Sequence, residues 1–203
     1  MIVVDLGCFP HRHEVSIEPL VERFRPDVLY GFDPWPGLVE GETRLGDTRV
    51  LLERKAAWVG DGEIEFARVR GLRAWDSTVM RGKNSRGEWS DSEGREVVRV
   101  PSFDFSGWLE RLPECPVVKM DVEGAEFPIL ERMHEDGTDA LVAQLLVEWH
   151  DEKMPAFVGR REALLASLRC PVEEWEPVRA GPFRAAVALL PRSRAGGRRW
   201  HRG

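Results

Sequence analysis

Residues 1–33 read MIVVDLGCFPHRHEVSIEPLVERFRPDVLYGFD and contain a complete strand–helix–strand unit. The chain is apolar at nearly every position before Asp5, which is typical of a strand buried on both faces of a parallel sheet. Apolar residues then recur at helical spacing after Ser16, a candidate helix N-cap: Ile17, Leu20, Val21 and Phe24. Residues 28–33 form a second apolar run that ends on Asp33. The segment therefore predicts a βαβ unit.

The same alternation of strands and helices continues through most of the chain. We predict strands at 50–58, 97–100, 117–121 and 142–149, helices at 103–112, 127–133 and 157–168, a hairpin from 50–58 to 63–69 through Asp61-Gly62, and a closing hairpin of 172–178 with 183–190. This order predicts an α/β fold with a mostly parallel, doubly wound sheet that ends in an antiparallel C-terminal hairpin.

The length of 203 residues fits one domain, which we place at residues 1–191. Residues 71–96 are rich in glycine, serine and charge, which predicts a long loop near the site. Residues 192–203 form a basic tail that is typical of disorder. The three cysteines lie far apart and include no C-x-x-C pair, so a disulfide framework and a zinc knuckle are not expected.

Charge and hydropathy exclude two classes of partner. The formal net charge is −6, although the last twelve residues carry five arginines and no acid, so the rest of the chain is more acidic still. An acidic body argues against a nucleic-acid-binding protein. No apolar run approaches the roughly 20 residues of a membrane helix, and the N-terminus lacks a secretory signal pattern. We expect a cytoplasmic protein without a membrane partner.

In open parallel sheets the ligand binds beyond the carboxyl ends of the strands, where several acids of this chain fall. Gly7 follows the first strand and allows close approach of a ligand to the backbone. Asp33 ends the second strand, where a carboxylate can accept both hydroxyls of a ribose. Each has a plain structural alternative, a tight turn for Gly7 and a capping or turn aspartate for Asp33.

The strand at 117–121 delivers three carboxylates, Asp121, Glu123 and Glu126, into one short turn. Acids this close repel one another, which favours a general base or a cation site. The structural alternative is helix capping by Glu123 with surface charge at Glu126.

Here the sequence resembles the FkbM-type methyltransferases. Residues 117–130, VVKMDVEGAEFPIL, resemble the K-x-D-x-E-G-x-E signature of that family. Further similar segments, in the family's order, are IVVDLG, YGFDPWP, AAWVGDGEIEF and LLVEWHD, which together span roughly residues 1–151. One departure stands in the first loop, where the family usually has a second glycine and this chain has His11.

The resemblance implies a Rossmann-like class I methyltransferase fold that binds S-adenosylmethionine and methylates a hydroxyl of a small molecule or sugar. Asp5 and Gly7 would flank the methionine part of the cofactor, and Asp33 would hold its ribose. Ala57 and Trp58 would lie near the adenine. Residues beside the methyl group and the acceptor would be Asp121, Glu123 and Glu126.

A hydroxyl acceptor must lose its proton, for which a positioned base is needed. Asp121 or Glu123 is the first candidate for this base, and His150 or His11 competes with them. Ser77 falls where the family often has a serine that faces the site. Trp75 and Trp89 flank the long loop and would stack on an acceptor ring, or alternatively would anchor the loop to the body.

No metal is expected, although two alternatives stay open. His11 and His13 could act with His150 as metal ligands, and Asp121, Glu123 and Glu148 could hold magnesium, because hard cations prefer oxygen ligands.

Two rival functions also remain. A nicotinamide-dependent oxidoreductase needs G-x-G-x-x-G at the first turn, which this chain lacks. The altered first loop leaves open a degenerate methyltransferase fold that serves as a cofactor-binding or interaction module. The sequence gives no prediction of the oligomeric state.

Overall fold

The computed structural model describes residues 1–8, 14–69, 95–151, 157–176 and 178–179. Their strands are β1 (Ile2–Leu6), β2 (Glu14–Val15), β3 (Val28–Phe32), β4 (Gly41–Leu45), β5 (Thr48–Glu53), β6 (Ala56–Trp58), β7 (Gly62–Val69), β8 (Arg95–Asp104), β9 (Val117–Met120), β10 (Gln144–Val147), β11 (Val172–Glu174) and β12 (Val178–Arg179). Their helices are α1 (Ile17–Phe24), α2 (Phe105–Leu109), α3 (Glu126–Asp136) and α4 (Arg161–Ser167), with a 3₁₀ turn at Thr138–Leu141.

A seven-stranded sheet forms the centre of the fold, in the order β11-β10-β9-β1-β3-β5-β4. Every neighbouring pair is parallel except β4 with β5. The prediction of an α/β fold with a mostly parallel sheet is confirmed. β1 occupies the middle, between β3 and β9, so its carboxyl end lies beside the ends of both neighbours.

The closing hairpin was predicted from residues 172–178 and 183–190. The prediction that residues 172–178 form one strand is wrong. β11 pairs parallel with β10, whereas Val178 belongs to β12 and pairs antiparallel with Val15 of β2. Residues 183–190 lie outside the described residues. The antiparallel edge of the central sheet is β4, whose polar sequence gave no strand signal.

A separate three-stranded sheet has the order β6-β8-β7. The hairpin predicted between residues 50–58 and 63–69 is therefore wrong, because β8 lies between β6 and β7 and pairs with both. The predicted strand 50–58 is also two strands, since β5 belongs to the central sheet and β6 to the smaller one. The Asp61-Gly62 turn redirects the chain but does not join paired strands.

Both faces of the central sheet are buried, because alternate residues of its strands enter two different cores. Val3, Val117 and Leu146 pack with α1, as the amphipathic pattern of residues 17–24 predicts. Val4, Val118 and their neighbours in β10 pack with α2, α3 and α4. Within the part of the chain that the structure describes, no helix is both long and apolar enough to cross a membrane.

Candidate active site

The turn after β1 brings the backbone of β1 against the end of β9. Gly7 has φ +78°, a left-handed conformation that favours glycine. A Cβ on Gly7 would lie 1.8 Å from the carbonyl oxygen of Asp121, so no side chain fits between the two strand ends. The Gly7 amide also donates to the Phe32 carbonyl at 2.9 Å. The ends of β1, β3 and β9 therefore meet at Gly7.

Behind this turn lies a buried ion pair across neighbouring strands. Asp5 and Lys119 are paired residues of β1 and β9, and both are buried. Lys119 Nζ lies 3.2 Å from Asp5 Oδ1, 3.2 Å from Asp121 Oδ2 and 3.0 Å from the Gly7 carbonyl. Ser16 donates to Asp5 Oδ2 at 2.5 Å. Its hydroxyl thus binds Asp5 and makes no cap hydrogen bond to α1, although Ser16 occupies the predicted N-cap position.

Asp33, Ala57 and Trp58 are the residues predicted to bind the nucleoside, and Asp33 lies across β1 from the end of β9. Asp33 follows β3 directly, and its Oδ1 accepts the Trp35 amide at 2.8 Å. Ala57 is buried and Trp58 is partly buried, and both belong to the core cluster that contains Phe32. Phe32 joins the two sheets through Phe103, with ring centroids 4.6 Å apart.

The turn after β9 is held by a buried carboxylate. Glu126 is fully buried, and it accepts the Val122 amide at 3.1 Å and the Gly124 amide at 2.8 Å. Between these amides, Glu123 has φ +51°, which costs a residue with a side chain roughly 1–2 kcal/mol. The turn therefore presents the partly exposed side chains of Asp121 and Glu123, while Glu126 lies behind them.

His150 follows β10 and faces this turn. The imidazole is almost wholly buried, and its Nδ1 lies 2.9 Å from Glu126 Oε1. Because a carboxylate only accepts, Nδ1 carries a proton. The other ring nitrogen, Nε2, lies 3.5 Å from Glu123 Oε2, 3.7 Å from Glu148 Oε1 and 4.0 Å from Asp121 Oδ1. The structure thus assembles Asp121, Glu123 and His150, the three predicted catalytic residues, around one point.

Burial and charge shift several pKa values in this cluster. Burial raises the pKa of Asp5, and the Lys119 ammonium opposes this rise. Burial acts to lower the pKa of Lys119, but Asp121 and Asp5 outweigh it, so Lys119 stays charged. Burial and then Asp121 raise the pKa of Glu148 to about 7. Burial also opposes the charge of His150, yet its hydrogen bond to Glu126 raises the pKa to about 9.

Several predicted site residues lie outside the described residues. They are Trp75, Ser77 and Trp89 of the long loop, and His11 and His13 of the first loop. Their predicted roles stay predictions.

A known protein family matches most of this chain. Residues 8–169 match the Methyltransferase FkbM domain, which is more than half of the chain. The chain belongs to the FkbM methyltransferase family. No curated protein and no solved structure matches it. The family match begins directly after Gly7 and includes Asp33, Ala57, Trp58 and the whole turn from Asp121 to Glu126.

Two residues of this FkbM-family protein make contacts that the sequence patterns did not predict. Lys119 is part of the K-x-D-x-E-G-x-E motif, and a lysine inside an apolar strand must have a charged partner when it is buried. Residues two apart along an extended chain point to the same side, so the spacing of Lys119 and Asp121 could have predicted the contact between them. The position of Ser16 before α1 predicted helix capping, whereas its hydroxyl donates a hydrogen bond to Asp5.

Proposed function

We propose that this FkbM-family protein is an S-adenosylmethionine-dependent methyltransferase with a Rossmann-like, doubly wound fold, and that it methylates a hydroxyl oxygen of a small molecule or sugar. The observation that carries the proposal is the convergence of the Gly7 turn, Asp33 and the Asp121–His150 cluster at the carboxyl ends of adjacent parallel strands. Ligands of open α/β sheets bind at this edge.

The charge of the cluster suits a cationic cofactor. Among the described residues, five carboxylates lie within 4.0 Å of Lys119 or His150: Asp5, Asp121, Glu123, Glu126 and Glu148. An acidic site in a partly buried environment attracts a positive ligand. S-adenosylmethionine supplies a methyl group on a positively charged sulfur, so the residues present fit it.

The protein's own groups would bind and orient this cofactor. Gly7 lets the turn after β1 pack directly against the Asp121 carbonyl, and Lys119, paired with Asp5, holds the Gly7 carbonyl in place. Asp33 would accept the ribose hydroxyls, because its position at the end of β3 is that of the ribose-binding acid in related sheets. Ala57 and Trp58 would contact the adenine from the smaller sheet.

The acceptor hydroxyl would lose its proton to a carboxylate near His150. Asp121, Glu123 and Glu148 each keep between a quarter and a third of the side chain exposed, whereas His150 keeps 1%. A positioned base of this kind contributes about 10²–10⁴-fold to a rate. Lys119 fixes Asp121 Oδ2 and His150 is fixed by Glu126, so the geometry around the acceptor is set before it binds.

Isothermal titration with S-adenosylmethionine tests the cofactor assignment. Asp33→Ala should weaken binding by about 10–100-fold, because it removes charge-assisted hydrogen bonds to the ribose. Asp47→Ala, an exposed acid in the β4–β5 turn, is the matched control and should bind as the wild type does. Equal affinities of wild type and Asp33→Ala would reject the ribose assignment, and no binding by the wild type would reject the cofactor.

Transfer of a labelled methyl group from S-adenosylmethionine to a panel of sugars and hydroxylated small molecules tests the reaction. Asp121→Asn should keep cofactor affinity within a few-fold and lower turnover at least about 10²-fold. An unchanged turnover would remove Asp121 from the chemistry. Cofactor binding without transfer to any hydroxyl would favour the alternative, a cofactor-binding or interaction module.

A further inference from the structure

We propose that Asp121, Glu123 and His150 form a binding site for one divalent transition-metal ion, of the Mn²⁺ or Zn²⁺ type, with Glu126 as the outer partner of the histidine. The three residues offer one ligand atom each, and these atoms all lie within 4.8 Å of one another. Ligands that surround one such ion at bond lengths of about 2.0–2.2 Å lie roughly 3–4 Å apart.

The orientation of His150 is the observation that separates this cluster from ordinary surface acids. Its side chain is 1% exposed, and Nε2 points into the cluster. Within the described part of the chain, the carboxylate oxygens nearest to Nε2 lie at 3.5, 3.7 and 4.0 Å, beyond the usual 2.7–3.2 Å of an N–H···O hydrogen bond. A buried polar atom is thus directed at three carboxylates without a hydrogen bond to any of them.

The contact between His150 Nδ1 and Glu126 resembles the hydrogen bonds that hold metal-binding histidines in place. Histidines that bind metals almost always donate their second ring N–H to a carboxylate or carbonyl, which fixes the tautomer and the ring orientation. Glu126 provides this contact to Nδ1 at 2.9 Å, and two backbone amides hold Glu126 itself. Nε2 is therefore directed at the space between Asp121 and Glu123, and its lone pair would bind an ion there once the ion displaces the Nε2 proton.

The mixed donor set selects the class of ion. Carboxylate oxygens alone would suit Mg²⁺ or Ca²⁺, whereas an imidazole nitrogen favours first-row transition metals. Three protein ligands leave coordination positions for small molecules. If the proposed function is right, oxygens of the acceptor would occupy these positions, and this assignment of a role rests on that function.

The test is metal content, measured on untagged full-length protein that is stripped with a chelator, dialysed against Mn²⁺ or Zn²⁺ and analysed by mass spectrometry. We expect about one ion per wild-type chain. Glu123→Gln and His150→Gln should lose the ion, and Glu126→Gln should weaken binding by about 10–100-fold. Glu135→Gln on the exposed side of α3 removes one carboxylate elsewhere and should bind the ion as the wild type does.

Circular dichroism of each variant verifies folding. The Glu123 side chain is partly exposed, so Glu123→Gln keeps the test valid if His150→Gln does not fold.

Two results would overturn the proposal: no ion bound above the stripped level, or equal binding by wild type and Glu123→Gln. Titration of S-adenosylmethionine into the stripped and the metal-loaded protein separates the two hypotheses. Cofactor binding by a protein that takes up no metal contradicts this inference alone. Metal uptake by a protein that binds no cofactor contradicts the proposed function alone.

Discussion

Replacement of Gly7 by alanine should destabilise the protein far more than an ordinary glycine substitution in a turn. The new Cβ would lie 1.8 Å from the Asp121 carbonyl oxygen, a distance that no real contact tolerates. The ends of β1 and β9 would have to separate. Two hydrogen bonds bridge them at this point, from the Asp121 amide to the Leu6 carbonyl and from Lys119 to the Gly7 carbonyl, both at 3.0 Å.

The size of the effect follows from these contacts. An alanine at φ +78° costs about 1–2 kcal/mol of backbone strain. The two bridging hydrogen bonds contribute about 1 kcal/mol each. We therefore expect the free energy of unfolding to fall by roughly 3–4 kcal/mol, a large part of the total for a domain of this size.

Urea denaturation followed by tryptophan fluorescence and circular dichroism measures this loss. Gly46→Ala is the matched control, because Gly46 has φ +61° in the exposed β4–β5 turn and a Cβ there meets nothing within 4 Å. The control should lose about 1 kcal/mol from strain alone. Equal losses in the two variants would refute the close approach of the strands at Gly7.

Three further outcomes follow from the described contacts. Lys119→Met should destabilise the fold by about 3–5 kcal/mol in thermal or urea unfolding, because it leaves Asp5 as an unpaired buried charge; a fully stable variant would contradict the ion pair. Asp5→Asn/Lys119→Met should recover part of this loss, and a double variant no better than Lys119→Met alone would show that the two residues are not coupled. Burial acts to raise the pKa of Asp139, but hydrogen bonds from the Arg169 amide and guanidinium lower it. Asp139 therefore stabilises the fold above the unfolded pKa of about 4, and this contribution is lost as the pH falls through the lower folded pKa. Asp139→Asn should cost about 2 kcal/mol at pH 7 in urea unfolding and progressively less toward pH 3, and a pH-independent difference would contradict the assignment.

The middle of the central sheet could be predicted from the sequence, because three of its strands are short apolar runs with an acid at or near the end. β1, β3 and β9 lie where the runs before Gly7, Asp33 and Asp121 predict them. The smaller sheet could not be predicted, because β7 pairs with a strand that follows a long intervening segment. Local turn signals such as Asp61-Gly62 give the direction of the chain but not its pairing partner.

The residues of the candidate site could be predicted from the sequence, but which of their side chains are buried and which are exposed could not. Asp5 and Asp33 give the same signal, an acid near the end of an apolar strand, yet Asp5 is fully buried beside Lys119 whereas Asp33 is partly exposed. The difference depends on position and neighbours, because Asp5 lies within β1 directly opposite Lys119, whereas Asp33 lies beyond the last paired residue of β3. Likewise, the acid pattern gave no distinction between Glu123 at the surface and Glu126, whose partner His150 belongs to another strand end.

The pairing of β7 with β8 has a consequence for changes in chain length between the two strands. Val69 and Arg95 are opposite one another in the ladder, so the segment 70–94 leaves and re-enters the fold at adjacent points. Closing a chain segment between adjacent points costs little more for a long insert than for a short one. A change in the length of the chain between Val69 and Arg95 should therefore leave the register of β7 and β8 unaltered.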